Sequence, residues 1–176
     1  MIPESSIYLV TGGARSGKSA LAERLVERLA RQSGGQAVYI ATAQAYDDEM
    51  TQRIGLHRAR RDAGWRTIEE PRELAQALAD SDGQGVRLVD CLTLWLANME
   101  GRADVGHLCT VLAAQKSPVV LVTNELGQGI VPDNALARQF RDDHGWMNQA
   151  VAEIATEVWM AVSGLPLRLK PQEHPL

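Results

Sequence analysis

Short apolar runs alternate with longer amphipathic stretches along most of the chain. The short β-branched runs predict buried strands, and apolar residues repeated every three or four positions predict helices with one buried face. Strands are predicted at 7–11, 37–41, 65–68, 86–90, 118–123, 158–162 and 167–169. Helices are predicted at 19–31, 47–64, 71–80, 91–99, 104–116 and 134–156, the last with Gly145 as a candidate break.

Regular alternation of strands and helices predicts an α/β sandwich with a mostly parallel sheet. The last two strands, joined by residues 163–166, should form a hairpin that adds an antiparallel edge strand. No linker or internal repeat interrupts the pattern, so residues 1–176 are expected to form one domain. Ligands of such sheets bind at the carboxyl ends of the strands. We call the edge formed by these strand ends the rim. The polar or glycine residues expected on it are Gly12, Thr42, Asp90 and Asn124.

A phosphate-binding loop is indicated directly after the first strand. Residues 12–19 fit the pattern G-x-x-x-x-G-K-[S/T], and the helix at 19–31 follows them. Backbone N–H groups of such a loop bind phosphate oxygens, and the helix dipole favours negative charge there. Lys18 would reach the β- and γ-phosphates, and the Ser19 hydroxyl would ligate Mg²⁺. The candidate nucleotide-binding residues are Gly12, Gly13, Ala14, Arg15, Ser16, Gly17, Lys18 and Ser19. The fold expected is therefore a three-layer sandwich of the P-loop NTPase type.

Two further strand ends carry polar side chains. Asp90 ends an apolar strand downstream of the phosphate loop, where a carboxylate commonly completes Mg²⁺ binding. Its alternative role is to cap the helix that follows. Asn124 and Glu125 follow the most apolar strand on a glycine-containing loop and are candidate substrate-binding residues. Their alternative role is to satisfy backbone groups at a turn.

One predicted helix carries a row of charged residues around a histidine. Glu49, Arg53, His57 and Arg60 or Arg61 recur every three or four residues and so share one helix face. Arginine forks suit phosphate oxygens, and a neutral imidazole can act as a nucleophile at phosphorus. From the spacing alone, a solvated basic helix end that complements its own dipole is the simpler interpretation.

Composition excludes several other classes of protein. A net charge of −4 argues against non-specific nucleic-acid binding. No apolar run is long enough to span a membrane, and no signal peptide is evident, so a cytoplasmic location is expected. The two cysteines, Cys91 and Cys109, form neither a disulfide framework nor a zinc site, and Cys91 is expected to be a buried thiol. The four tryptophans are expected to be core residues rather than base-stacking ones.

Several motifs in order resemble one family. They are the phosphate loop at 12–19, Ala-Thr-Ala at 41–43 with Asp-Glu-Met at 48–50, and Arg-Ile-x-x-His-Arg-x-x-Arg at 53–61. Trp-Arg-Thr-x-Glu at 65–69, Val-Asp-Cys-Leu-Thr-x-Trp-Leu at 89–96 and the loop at 124–132 follow. Together they resemble the bifunctional adenosylcobinamide kinase / adenosylcobinamide-phosphate guanylyltransferase family of cobalamin biosynthesis, over nearly the whole chain.

The resemblance implies two reactions and several residue roles. Adenosylcobinamide would be phosphorylated with ATP or GTP, and GMP would then pass from GTP to that phosphate through a guanylylated histidine. Some members carry two adjacent histidines there; here Leu56 takes the first place, which leaves His57. Glu69 is implied in guanine or ribose recognition and Asp90 in metal binding. The remaining nucleotide-binding candidates are Ala41, Thr42, Ala43, Arg58 and Arg61. The family also implies a homotrimer.

Two other functions compete with this interpretation. The first is a monofunctional P-loop small-molecule kinase in which His57 is only structural. The second is a nucleotide-dependent binding module without transfer chemistry. The sequence disfavours a guanine-binding switch, because it has no N-K-x-D-like base-recognition motif.

Overall fold

The computed structural model describes residues 6–44, 55 and 64–171. The strands are β1 (Ile7–Thr11), β2 (Ala37–Ala41), β3 (Trp65–Glu69), β4 (Val86–Asp90), β5 (Val119–Val122), β6 (Glu157–Val162) and β7 (Leu165–Lys170). The helices are α1 (Lys18–Ser33), α2 (Leu74–Asp80), α3 (Leu92–Asn98), α4 (Val105–Ala113) and α5 (Ala135–Ile154). The helix predicted at 47–64 falls almost entirely outside the described residues.

The seven strands form one sheet in the order β3-β2-β4-β5-β1-β6-β7. Every neighbouring pair is parallel except β6 and β7, which form the antiparallel hairpin at one edge. The phosphate-loop strand β1 is separated from β4 by β5, so the segment after β5 emerges between those two strand ends. The expected mostly parallel sheet with a C-terminal edge hairpin is confirmed.

Helices cover both faces of the sheet, which gives the predicted three layers. Along β1, Ile7 and Leu9 face one side and Tyr8 and Val10 the other, as strand alternation requires. Helix α1 packs on the second side through residues such as Val26. Helices α2 to α5 pack on the first side. Because both faces are buried, the central strands are continuously apolar rather than alternating.

Two expectations about α5 are wrong. The helix continues without a break through Gly145, because the residues on either side, His144 and Met147, anchor it in the interior. Because His144 and Met147 face the interior, Trp146 lies on the opposite, solvent-facing side of the helix. Its side chain is 63% exposed, so it does not belong to the core. Trp95 does belong to the core and donates its indole N–H to the Arg72 carbonyl at 2.8 Å.

The hairpin is tighter than its sequence suggests. Strand β7 begins at Leu165, so the connecting turn consists of Ser163 and Gly164 instead of residues 163–166. Both turn residues have positive φ, 52° and 81°, which is the conformation that two-residue hairpin turns favour. In the part of the chain that the structure describes, no helix is long and apolar enough to cross a membrane.

Candidate nucleotide and phosphate-transfer site

The phosphate loop lies between the end of β1 and the start of α1. Gly17 precedes the helix with φ 92°, a left-handed conformation that glycine adopts readily. Lys18 is the first helical residue, and its Nζ donates to the Gly13 carbonyl oxygen at 3.1 Å. The lysine ammonium is thus folded over the loop, while Ala14 and Arg15 are exposed on it. The arrangement offers backbone N–H groups and a cation to one anionic ligand.

The turn between β6 and β7 packs directly against the phosphate loop. Gly164 donates its backbone N–H to the Ser16 carbonyl at 2.9 Å. A Cβ on Gly17 would lie 3.1 Å from the Gly164 Cα, and a Cβ on Gly12 would lie 2.7 Å from the Ala161 carbonyl oxygen. Both glycines are therefore required for close backbone packing as well as for loop curvature. Nothing in the sequence of the hairpin indicated this contact.

Register places several of the predicted residues on one rim. Ala41 at the end of β2 is level with Glu69 at the end of β3 and with Asp90 at the end of β4. Asp90 is level with Val122 of β5, which is in turn level with Val10 of β1. Glu69, which is exposed, lies four strand spacings from β1, or about 19 Å at about 4.8 Å per spacing. The rim therefore has a phosphate-loop end and a distant Glu69 end.

Asp90 is held at the strand end and does not cap the following helix. The N-cap residue of α3 is Cys91, and no side chain caps that helix. The Asp90 Oδ2 accepts a hydrogen bond from the Tyr39 hydroxyl at 3.2 Å. This favours the metal-binding interpretation over the capping one.

Thr42 is committed to the backbone of the neighbouring strand end. Its hydroxyl donates to the Cys91 carbonyl and accepts from the Cys91 N–H, both at 2.8 Å. The Thr42 side chain is fully buried, so it fixes the rim beside Asp90 instead of facing solvent. Cys91 is a free thiol, and burial raises its pKa to about 11. Such a thiol is inert at neutral pH.

The oxygen atoms of Ser19 and Asp90 fit a Mg²⁺ ion that is bound together with a nucleotide. A serine hydroxyl and a carboxylate are oxygen ligands of the kind that Mg²⁺ prefers. Within residues 6–44, 55 and 64–171, no three histidine, cysteine or acidic side chains cluster as a metal site. An ion at Ser19 and Asp90 would therefore take most of its ligands from phosphate oxygens and water, as Mg²⁺ usually does beside nucleotides.

The segment after β5 contacts the phosphate loop directly. The Thr11 hydroxyl donates to Glu125 Oε1 at 2.6 Å, and the Glu125 N–H donates to the Gly12 carbonyl at 3.3 Å. Asn124 instead turns toward α3, and its Nδ2 and backbone N–H both donate to Thr93 Oγ1, at 2.9 and 3.1 Å. Both side chains are half-buried. Of the two substrate candidates, Glu125 is the one that lies against the phosphate loop.

The comparisons with known proteins decide the family. The family model described as "Cobinamide kinase / cobinamide phosphate guanyltransferase" matches residues 8–169. This chain belongs to that family. Among its relatives, the bifunctional adenosylcobalamin biosynthesis protein CobP of Pseudomonas aeruginosa is 47% identical, over 92% of this chain and 96% of the relative. The corresponding protein CobU of Escherichia coli K12 is 42% identical, over 93% of this chain and 99% of the relative.

Solved structures agree on the fold alone. The flagellar accessory protein FlaH of Methanocaldococcus jannaschii superimposes with a TM-score of 0.60 at 16% identity, covering 96% of this chain and 80% of that one. A KaiC-like protein of Pyrococcus horikoshii superimposes with a TM-score of 0.52 at 14% identity, covering 90% of this chain and 71% of that one. The predicted P-loop NTPase-type fold is thereby confirmed for this cobinamide kinase / guanyltransferase family member.

The helix predicted at 47–64, which would carry His57, stays a prediction. His57, Arg58 and Arg61 lie outside the described residues, and so do Glu49 and Arg53. Ala43 is described and half-buried just beyond Thr42.

A buried polar network behind Asn124 was missed by the sequence analysis. His144 Nε2 lies 2.9 Å from Thr93 Oγ1 and 3.3 Å from Thr123 Oγ1. Thr123 donates to Asn148 Oδ1 at 2.7 Å, and Asn148 Nδ2 donates to the Asn124 carbonyl at 2.9 Å. The network ties α3 and α5 to the end of β5. A lone histidine in an amphipathic helix carries no signal for this role.

Burial of His144 makes stability depend on pH. Burial lowers the pKa of this imidazole from 6.5 to about 4. The unfolded chain therefore binds a proton more readily than the native one between those values, so stability is complete above pH 6.5 and falls as pH drops toward 4. The expected loss in unfolding free energy is about 3 kcal/mol.

Denaturant titration across that pH range tests this expectation. His144→Gln should flatten the slope of unfolding free energy between pH 6.5 and 4. His107→Gln, which changes an exposed histidine on α4, is the matched control and should keep it. An unchanged slope in His144→Gln would contradict the assignment.

Proposed function

We propose that this protein phosphorylates the aminopropanol hydroxyl of adenosylcobinamide with ATP or GTP. It then transfers GMP from GTP to that phosphate, giving adenosylcobinamide-GDP and pyrophosphate. The supporting observation is a family match over residues 8–169, which spans both the formed phosphate loop and the predicted His57 face. A kinase needs a phosphate-binding loop, and the guanylyl transfer is proposed to pass through His57.

The phosphate loop supports the kinase step. The substrate hydroxyl forms a bond to the γ-phosphorus while the bond to the β-phosphate oxygen breaks. Lys18 and the loop N–H groups would hold the charge that spreads over the phosphate oxygens. Mg²⁺, held by Ser19 and Asp90, would neutralise part of the nucleotide charge when bound. Arg15 is exposed on the loop and adds a further cation.

His57 is proposed as the nucleophile of the guanylyl transfer. Its imidazole would attack the α-phosphorus of GTP, so that a P–N bond forms as pyrophosphate leaves. The phosphate of adenosylcobinamide phosphate would then attack the same phosphorus, and the P–N bond breaks. Arg58 and Arg61 neighbour His57 in sequence and would bind the phosphate oxygens. A covalent intermediate divides one transfer between anions into two displacements.

The position of Glu69 supports a role away from the phosphate loop. About 19 Å of sheet separates it from β1. An exposed carboxylate there suits the guanine or ribose of a nucleotide whose phosphates lie between the two ends of the rim. Ala41, Thr42 and Ala43 lie along that path, with the Thr42 hydroxyl supporting the backbone.

The exposed edge of the sheet supports assembly of several copies. Leu165, Leu167 and Leu169 alternate along β7, and all three are exposed. Apolar side chains on a strand edge favour association. A homotrimer is the proposed state, and sedimentation equilibrium tests it, since a monomer would overturn it. We further propose that the enzyme is cytoplasmic and binds no nucleic acid.

Two labelled nucleotides test the function. Adenosylcobinamide and Mg²⁺ are supplied with γ-labelled ATP in one reaction, and with unlabelled ATP plus α-labelled GTP in a second. The proposal expects labelled adenosylcobinamide phosphate in the first and labelled adenosylcobinamide-GDP in the second. Label in the first alone would support a monofunctional kinase. Label in neither, with nucleotide still bound, would support a binding module.

A further inference from the structure

We propose that Glu125 is the general base of the kinase reaction, and that the guanylyl transfer does not need it. The inference rests on the proposed function and names a catalytic residue within it. The observation that carries it is the contact between the Glu125 carboxylate and Thr11, the residue directly before the phosphate loop.

Sheet order places Glu125 beside the phosphate loop, where the γ-phosphate is proposed to bind. Strand β5 lies between β1, which leads into the phosphate loop, and β4, which ends in Asp90. The chain leaving β5 therefore passes between the phosphate loop, which is proposed to hold the γ-phosphate, and Asp90, which is proposed to bind the metal. Glu125 is the third residue past the end of β5, and its N–H donates to the Gly12 carbonyl.

Hydrogen bonding fixes one carboxylate oxygen and leaves the other for a substrate. Oε1 accepts from the Thr11 hydroxyl at 2.6 Å. In the described part of the chain, no second side chain donates to this carboxylate. A half-buried carboxylate held by one hydroxyl is oriented but retains an acceptor site for a hydroxyl proton.

Other carboxylates on the rim are worse placed for this role. Asp90 accepts from Tyr39 and belongs to the metal site proposed above. Glu69 lies about 19 Å from β1 across the sheet. Among the described acids of these strand ends, Glu125 is the one hydrogen-bonded to the base of the phosphate loop.

The two reactions differ in their need for a base. In the kinase step a neutral hydroxyl forms the new O–P bond, the bond to the leaving nucleoside diphosphate breaks, and the hydroxyl proton passes to Glu125. The guanylyl transfer has two nucleophiles in turn. The first is the neutral imidazole of His57, which attacks through its unprotonated nitrogen. The second is a phosphate, which is already ionised at neutral pH because its second pKa is about 6. A base at Glu125 therefore accelerates one reaction of the pair.

The test measures both reactions with Glu125→Gln. Glutamine keeps the length and an oxygen for Thr11 but cannot accept the proton. Phosphorylation of adenosylcobinamide should fall about 100-fold or more. Guanylyl transfer to supplied adenosylcobinamide phosphate should stay within about twofold of wild type, because no proton is removed there. Asp133→Asn, an exposed acid later in the same loop, is the matched control and should change neither reaction.

Each alternative outcome has a distinct meaning. Kinase activity near the wild-type rate in Glu125→Gln would overturn the proposal, and so would an equal loss of both reactions, which indicates a structural role. Should the glutamine variant not fold, Glu125→Asp keeps a carboxylate on a side chain that is one methylene shorter. A partial loss of kinase rate with unchanged guanylyl transfer is expected there, and a full loss of both reactions overturns the proposal. A wild-type protein that never phosphorylates adenosylcobinamide would refute the proposed function itself.

Discussion

His57→Asn is expected to abolish guanylyl transfer while adenosylcobinamide phosphorylation continues. Losing a nucleophile that forms a covalent intermediate typically costs about three orders of magnitude or more in rate. The kinase reaction depends on the phosphate loop instead, so it should stay within about twofold of wild type. Asparagine is uncharged and similar in reach to one side of the imidazole, which limits any effect on the fold.

The measurement uses α-labelled GTP with Mg²⁺ and denatured protein. Wild-type protein should retain a label that acid removes and base does not, as a phosphoramidate bond to histidine behaves. His57→Asn should retain none, whereas His107→Asn, which changes an exposed histidine on α4, should label normally. Full labelling of His57→Asn would assign the nucleophile to another residue. Absence of label in wild type, with kinase activity present, would leave the monofunctional kinase.

Lys18→Met should lower the rate of adenosylcobinamide phosphorylation by about two to three orders of magnitude. Methionine keeps an apolar stem and removes the ammonium that neutralises charge on the transferred group, and one such group is worth about that much. In the structure Lys18 Nζ lies 3.1 Å from the Gly13 carbonyl, so the ammonium is already held over the loop. Pre-positioning of this kind reduces the reorganisation needed when phosphate binds.

Steady-state kinetics with saturating ATP test the Lys18 variant. Lys116→Met is the matched control, because Lys116 is exposed and lies outside the site, and it should be indistinguishable from wild type. A loss of less than about tenfold would contradict the assigned role. The α-labelled GTP assay on the same variant adds a second result. If labelling of His57 falls in parallel, the phosphate loop serves both reactions; normal labelling restricts it to the kinase step.

Local pattern was sufficient for the outline of the fold. A short apolar run predicts a buried strand, and a glycine loop before an amphipathic stretch predicts a phosphate loop and a helix. The structure confirms β1, the phosphate loop and α1 at the predicted positions. Errors arose where tertiary packing overrides local preference. Gly145 would weaken an isolated helix, but the burial of His144 and Met147 on either side keeps α5 continuous.

The sequence by itself determined the phosphate loop, and it predicts that Asp90 and the histidine within a row of arginines take part in the chemistry. Only the tertiary structure decided how they are supported. Strand order placed Glu125 against the phosphate loop, although 114 positions separate it from Thr11, and it placed Gly164 beneath Ser16. It also buried His144 behind Asn124. Such contacts join residues far apart in sequence, so no local periodicity can encode them; they follow from the order in which strands pair.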